Sequence, residues 1–95
     1  NILIVGPREM LNLTEVLLFE YELTPDESLW KGQPVFLRIR GIDSVPGYDG
    51  TVEITQEGLL VKFFQPVWAL TPGQSIVIYQ NDLVIGGGEV PDYFQ

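Results

Sequence analysis

The chain contains no cysteine and no histidine among its 95 residues. These absences exclude disulfides, a thiolate nucleophile, an imidazole general base and the nitrogen and sulfur ligands that zinc prefers. No apolar run approaches the roughly 20 residues that a membrane-spanning helix needs, and the first residues carry no basic signal region. We therefore expect a cytoplasmic protein that has no catalytic residue, metal site, cofactor or membrane contact of its own.

Positive charge is also scarce. Five lysines and arginines stand against thirteen aspartates and glutamates, which gives a formal net charge of −8 at pH 7. Proteins bind nucleic acid chiefly by neutralising its phosphates with lysine and arginine. The isolated chain is therefore expected to bind RNA poorly.

Hydrophobic residues are plentiful by contrast and make up 45% of the chain. A chain of this length buries roughly 60–65% of its unfolded surface when it folds, so we expect residues 1–95 to form one domain. The chain opens with Asn1 rather than methionine, directly in an apolar stretch. This opening favours a domain excised from a longer protein.

Short segments with alternating apolar and polar residues, separated by turn signals, indicate antiparallel strands. Helix signals are confined to the segment after Pro7 and to residues 24–30. The pattern is typical of an all-β fold, either a small antiparallel barrel or a sandwich, with one or two short helical turns. The predicted strands are Asn1–Val5, Glu15–Leu23, Val35–Ile42, Thr51–Thr55, Gly58–Phe64, Ser75–Gln80 and Leu83–Val90.

Two of these strands carry further expectations. Alternate residues from Leu17 to Leu23 are predicted to share the face that packs on the core, because the side chains of a strand repeat with period two. Pro66 is predicted to confine the strand that contains Phe64 to an edge or to end it, because proline cannot donate to a strand ladder.

A capping box begins at Thr24. Its hydroxyl is predicted to be the N-cap, with Pro25 at the first helical position and the Glu27 carboxylate reaching back to the cap amide. Acidic residues in a first helical turn complement the helix dipole, which favours capping over a metal or acid–base role for Asp26 and Glu27. The short helix is predicted to reach Trp30, whose side chain should lie in the core.

Two arginines lie close together on one predicted strand. Alternate residues from Val35 to Ile39 face one way, and Phe36, Arg38 and Arg40 face the other. Two neighbouring guanidiniums suit phosphate oxygens, which makes Arg38 and Arg40 candidate RNA contacts. The alternative is that they are solvated side chains on an outer strand face.

Two backbone features mark the last third of the chain. Thr71-Pro72-Gly73-Gln74 predicts a type II turn, because proline presets φ and glycine tolerates the positive φ that follows. Gly86-Gly87-Gly88 predicts a bulge, a tight bend or the close approach of another backbone. An architectural role is favoured for both, and the functional alternative is that the glycine amides meet an RNA phosphate.

Together these two features resemble the carboxy-terminal segment of bacterial tRNA-specific 2-thiouridylases, over the run from Ala69 to Val90. Tyr21–Trp30 and Phe64–Ala69 are similar to further segments of that family, so the resemblance covers nearly the whole chain. There are departures as well. Leu29 stands where the family has asparagine, and the basic strand that ends at Arg40 lacks the Tyr-Arg that follows it in the family.

The resemblance implies a six-stranded barrel of the kind found in elongation factors and aminomethyltransferases, placed after a catalytic ATP-pyrophosphatase domain and a small central domain. It implies a parent enzyme that uses ATP and a persulfide sulfur donor to 2-thiolate the wobble uridine (U34) of tRNA. The family's adenylating Ser-Gly-Gly-x-Asp-Ser loop and its two cysteines are absent from this chain. The barrel is therefore expected to contribute domain packing and, through Arg38 and Arg40, tRNA positioning.

Other interpretations stay open. An autonomous acidic barrel could hold a protein partner through an exposed strand edge or an apolar patch, which suits the net charge. Trp68 could stack on an RNA base, although tryptophan in a small barrel is more often part of the core. An enzymatic role for Asp43 and Asp49 would require the two carboxylates to converge on one site.

Overall fold

A computed structural model describes residues 12–41, 47–68 and 70–92 of the chain. Within these ranges the chain forms seven strands and one 3-10 turn. The elements are β1 (Asn12–Leu18), β2 (Tyr21–Leu23), the 3-10 turn (Glu27–Leu29), β3 (Val35–Arg40), β4 (Tyr48–Ile54), β5 (Leu59–Trp68), β6 (Ser75–Gln80) and β7 (Leu83–Glu89).

The strands form one antiparallel sheet that curls into a barrel. The strand order is β1-β5-β4-β3-β6-β7-β2. β1 and β2 stand at opposite ends of this order, yet only Phe19 and Glu20 separate them along the chain. The predicted all-β antiparallel barrel is confirmed. The described ranges hold seven strands rather than six, because the strand predicted at Glu15–Leu23 bends at Phe19 and Glu20 and so forms both β1 and β2. The part before the bend pairs with β5, and the part after it pairs with β7.

The bend also shifts the alternation of side chains along the first strand. Val16 and Leu18 are fully buried, Phe19 is 52% exposed, and Tyr21 packs partly buried against the core. The prediction that alternate residues from Leu17 onward face the core is therefore wrong before the bend and holds only after it. Leu18 and Tyr21 both face the core, and two residues lie between them instead of one. The alternation of inward and outward side chains is therefore shifted by one residue after the bend.

The hydrophobic core fills the inside of the barrel. Trp30 belongs to it, as predicted, and its indole Nε1–H donates a hydrogen bond to the carbonyl oxygen of Thr24 at 3.0 Å. This bond satisfies the one polar group of a buried indole. The buried hydrophobic side chains of the described residues are Val16, Leu18, Trp30, Val35, Leu37, Ile39, Val52, Leu59, Val61, Phe63, Val67, Leu70, Ile76, Ile78, Ile85 and Val90.

The helical turn before Trp30 begins later than predicted. Its N-cap is Asp26, whose Oδ1 accepts a hydrogen bond from the Ser28 backbone N–H at 3.2 Å. Thr24 Oγ1 instead accepts from the Asp26 backbone N–H at 3.3 Å. The prediction of Thr24 as N-cap is therefore wrong. A carboxylate is a stronger acceptor than a hydroxyl, so the aspartate two residues later caps a shorter turn.

β5 continues beyond Pro66, contrary to the prediction that this proline confines or ends the strand. Its register with β1 jumps at this point, since Lys62 lies opposite Glu15 whereas Val67 lies opposite Leu13. Pro66 falls inside the jump, between two regularly paired segments. The missing proline N–H is tolerated where a strand bulges away from its ladder.

The β4–β5 hairpin turns at Gln56-Glu57, as predicted, and Gly58 has the expected positive φ, at 155°. The Thr55 backbone N–H donates to the Gly58 carbonyl at 2.8 Å and closes the turn. β4 begins at Tyr48 rather than at the predicted Thr51, and the residues from Tyr48 to Gly50 pair with β3. The predictions for residues 1–11, 42 and 43 lie outside the described residues.

Candidate functional site

Arg38 and Arg40 lie on the outer face of β3, where alternation with buried residues places them. Arg38 is half-buried and Arg40 is exposed. On the neighbouring strand β6, Arg38 lies opposite Val77 and Arg40 lies opposite Ser75. Neither guanidinium forms an ion pair or hydrogen bond with another described residue. This face therefore carries two adjacent guanidinium groups that have no ion-pair or hydrogen-bond partner among the described residues.

Glutamates share the outer face with these arginines. Arg40 is paired laterally with Ser75 of β6, which is paired with Glu89 of β7, so Glu89 lies two strands away from Arg40. In the same way, Glu22 of β2 lies three strands away from Arg38. Neighbouring strands lie about 4.8 Å apart, so two strands separate charges by about 10 Å, which is close to the Debye length of about 8–10 Å in physiological salt. The electrostatic potential of this face is mixed rather than uniformly positive.

The proline–glycine turn has the predicted backbone geometry. Gly73 has a φ of 91°, and the Gln74 N–H donates to the Thr71 carbonyl at 3.3 Å across Pro72 and Gly73. The turn is also bonded to the chain after β7, because the Gly73 N–H donates to the Val90 carbonyl at 3.0 Å and the Val90 N–H donates to Gln74 O at 2.8 Å. The Thr71 N–H donates to Gln74 Oε1 at 2.8 Å. Backbone bonds thus hold the turn against the end of β7.

The three glycines lie within β7, between β6 and β2. A Cβ on Gly87 would lie 2.6 Å from the carbonyl oxygen of Ile76, and one on Gly88 would lie 2.6 Å from the carbonyl oxygen of Glu20. A Cβ on Gly86 would collide with a carbonyl of β2. Close backbone approach therefore occurs at all three positions, and a bulge in the β6–β7 ladder directly precedes them.

A shallow groove of about 880 Å³ runs over β2, β6 and β7, with the glycines in its floor. Glu20, Glu22 and Glu89 line it. Carboxylates around a groove repel phosphate. The electrostatics of the groove therefore do not favour the glycine amides as an RNA phosphate site.

An apolar row crosses the outer face beside the arginines. We define it as Phe36 of β3, Tyr79 of β6 and Val84 of β7, which lie opposite one another in register. The two ring centroids are 6.2 Å apart, with 59° between the ring planes. Sequence reasoning did not single out this row. The available signal was that alternation places Phe36 on the same face as Arg38.

The remaining candidates have separate outcomes. The side chain of Trp68 and all of Asp43 lie outside the described part of the structure, and Asp49 is exposed on β4, opposite Phe36. In the described ranges, no group of three or more acidic, cysteine or histidine side chains is arranged to hold a metal ion. No helix among the described residues has the length and apolar character to cross a membrane.

Comparison with known proteins gives one family and a set of relatives. Residues 18–90 match the family described as the aminomethyltransferase beta-barrel domain. The tRNA-specific 2-thiouridylase MnmA of Natranaerobius thermophilus is 40% identical over 91 residues, which are 95% of this chain and 24% of that protein. The protein of the same name from Aquifex aeolicus is 34% identical over 92 residues, which are 97% of this chain and 25% of that protein. The chain thus spans about a quarter of the length of these relatives. No solved structure gives a significant match.

Proposed function

This chain belongs to the aminomethyltransferase β-barrel domain family, and we propose that it is the C-terminal barrel of a tRNA-specific 2-thiouridylase. The observation that carries this proposal is the similarity of almost the whole chain to relatives of that name, of which it spans about a quarter. The parent enzyme acts in the cytoplasm and places sulfur on C2 of the wobble uridine (U34) of tRNA. ATP and a persulfide donor are bound or supplied outside residues 1–95.

The barrel takes no chemical step in this scheme. Persulfide transfer needs thiols, and the chain has no cysteine. Adenylation of the uridine needs a nucleotide site, which belongs to the catalytic domain of the same polypeptide. The catalytic and central domains are therefore the covalent partners of the barrel, and its contribution is to the packing of the enzyme and to the placement of tRNA.

Arg38 and Arg40 are the residues proposed to touch tRNA. They are adjacent, face outward, and form no ion pair with a described residue. Guanidiniums in such a position pair with phosphate oxygens through charge-assisted hydrogen bonds. Glu89 two strands away and the net charge of −8 make this contact weak by itself, so it acts only together with tRNA contacts elsewhere in the enzyme.

The full-length gene product tests the proposal. We expect it to be about four times as long as this chain, by analogy with the relatives, and to form 2-thiouridine at position 34 when it is given ATP and a persulfide donor. A native protein of only 95 residues, or a full-length protein that binds tRNA without thiolating it, would contradict the proposal.

Paired variants of the full-length enzyme test the arginines. Arg38→Ala with Arg40→Ala should raise the KM for tRNA with little change in kcat. The slope of the logarithm of tRNA affinity against the logarithm of salt concentration should become shallower by about one for each phosphate that is no longer neutralised. Lys31→Ala with Lys62→Ala removes the same charge from other parts of the barrel and is the matched control. Equal effects of the two pairs would mean that only overall charge matters and that the arginines make no specific contact.

A further inference from the structure

The apolar row leaves large hydrophobic side chains in solvent at adjacent positions of one sheet face. Phe36 is 36% exposed and Val84 is 57% exposed. Paired residues on one face have Cβ atoms about 4.5–5.5 Å apart, so these side chains form a continuous surface. Contiguous apolar surface marks interaction sites, whereas isolated exposed residues do not.

The rings in this row are held in place by the barrel. The Phe36 ring packs directly over Gly47, where a Cβ would collide with it, and it also lies against the ring of Tyr79. Rigid aromatic side chains lose little conformational entropy when a partner covers them. Phenylalanine and tyrosine are also enriched in the centres of protein interfaces.

Charge distinguishes between a nucleic acid and a protein as the occupant. Asp49 lies opposite Phe36 at one end of the row, and Asp82 lies two residues before Val84 at the other, both exposed. Arg38 borders the row on β3, so the two carboxylates outnumber the one adjacent cation and together repel a phosphate backbone. A protein surface with an apolar centre and cations at its margin complements the row instead.

The rest of the proposed parent enzyme is the protein surface tethered closest to this row. The chain spans 24% of one relative and 25% of another, so roughly three quarters of the polypeptide lies outside it. An enzyme that binds tRNA must carry positive charge, and this quarter has a net charge of −8. Most of the cations that bind tRNA, beyond Arg38 and Arg40, must therefore lie in the preceding part of the polypeptide.

We propose that the apolar row of Phe36, Tyr79 and Val84, flanked by Asp49 and Asp82, docks on an apolar patch with basic residues at its margin in the preceding part of the same polypeptide. The inference rests on the proposed function, since it requires the barrel to be one domain of a longer enzyme. Docking on the row must leave both Arg38 and Arg40, farther along β3 on the same face, accessible to tRNA.

Site-specific photocrosslinking in the full-length enzyme tests the docking surface. A benzophenone amino acid in place of Val84 should crosslink to a peptide that precedes residue 1 of this chain, identified by mass spectrometry after digestion. The matched control is the same probe in place of Ile54, which is 50% exposed at the end of β4 and outside the row. The expected yield at position 84 is several-fold above that at position 54.

Charge reversal supplies a second measurement. Asp49→Lys with Asp82→Lys should lower the yield at position 84 several-fold, whereas Glu53→Lys with Glu57→Lys, the same charge change on the β4–β5 hairpin, should leave it unchanged. Crosslinks at position 84 that go mainly to tRNA or to a second copy, or that do not exceed those at position 54, would overturn the docking proposal. If such an enzyme still makes 2-thiouridine, only the docking surface is wrong, whereas a native chain of 95 residues removes both proposals.

Discussion

Replacing Gly73 by valine isolates the energetic cost of one backbone angle. Gly73 has a φ of 91°, close to the φ of about 80° that the third position of a type II turn requires. A Cβ at this position would have no atom of a non-neighbouring residue within 4 Å, so the Cβ itself adds no contact with the rest of the barrel. The loss of stability therefore comes from holding a β-branched residue at positive φ, which costs about 1–3 kcal/mol. The lower conformational entropy of unfolded valine offsets about 0.4–1 kcal/mol of that cost.

The net free energy of unfolding should fall by about 1–2 kcal/mol, which lowers the thermal midpoint by roughly 4–16 °C for a domain of this size. Thermal unfolding followed by circular dichroism measures this shift. Gly73→Asn is the matched control, because asparagine adopts positive φ more readily than other side chains, and it should lose clearly less stability than Gly73→Val. Equal midpoints for the two variants would show that the turn does not depend on φ at this residue and would refute the reasoning.

Three further predictions concern the glycine strand, the buried indole and the net charge. Gly88→Ala should destabilise the barrel by about 1–3 kcal/mol, because the new methyl group lies 2.6 Å from the backbone carbonyl of Glu20, and an unchanged denaturant midpoint would contradict that approach. Trp30→Phe should lower the free energy of unfolding by about 1–3 kcal/mol, because the carbonyl of Thr24 loses its donor, and equal stability in a denaturant titration would mean that water replaces the indole. The isolated chain should not retard tRNA in a gel at physiological salt, given its net charge of −8, whereas tight and weakly salt-dependent retardation would contradict the electrostatic argument.

Local signals predicted most of the strands. β6 has the predicted bounds, Ser75–Gln80, because a proline–glycine turn precedes it and the turn at Asn81, with a φ of 57°, follows it. In β3, the alternation that begins at Val35 correctly separates the core face from the outer face, since one side of the strand is buried without interruption. These features depend on neighbouring residues only, so the sequence contains them in full.

Apart from the N-cap at Asp26, which is a local feature, the features that sequence reasoning missed depend on contacts between distant segments. The bend at Phe19-Glu20 exists because one half of the strand pairs with β5 and the other half with β7, and no local pattern encodes that change of partner. The outward direction of Arg38 and Arg40 was predictable from alternation. Their distance from Glu89 depends on the order of β3, β6 and β7 in the sheet, which no local pattern shows. Their contact with RNA stays a prediction.

The way the barrel closes limits how its chain could be rearranged. The two outermost strands of the sheet order are joined at Phe19-Glu20 by a peptide linkage, so connectivity of the main chain completes the ring at that corner. New termini placed in the other turns would leave that linkage whole. A circular permutation that opened the chain between Phe19 and Glu20 would instead separate β1 from β2 at the corner where the main chain completes the ring.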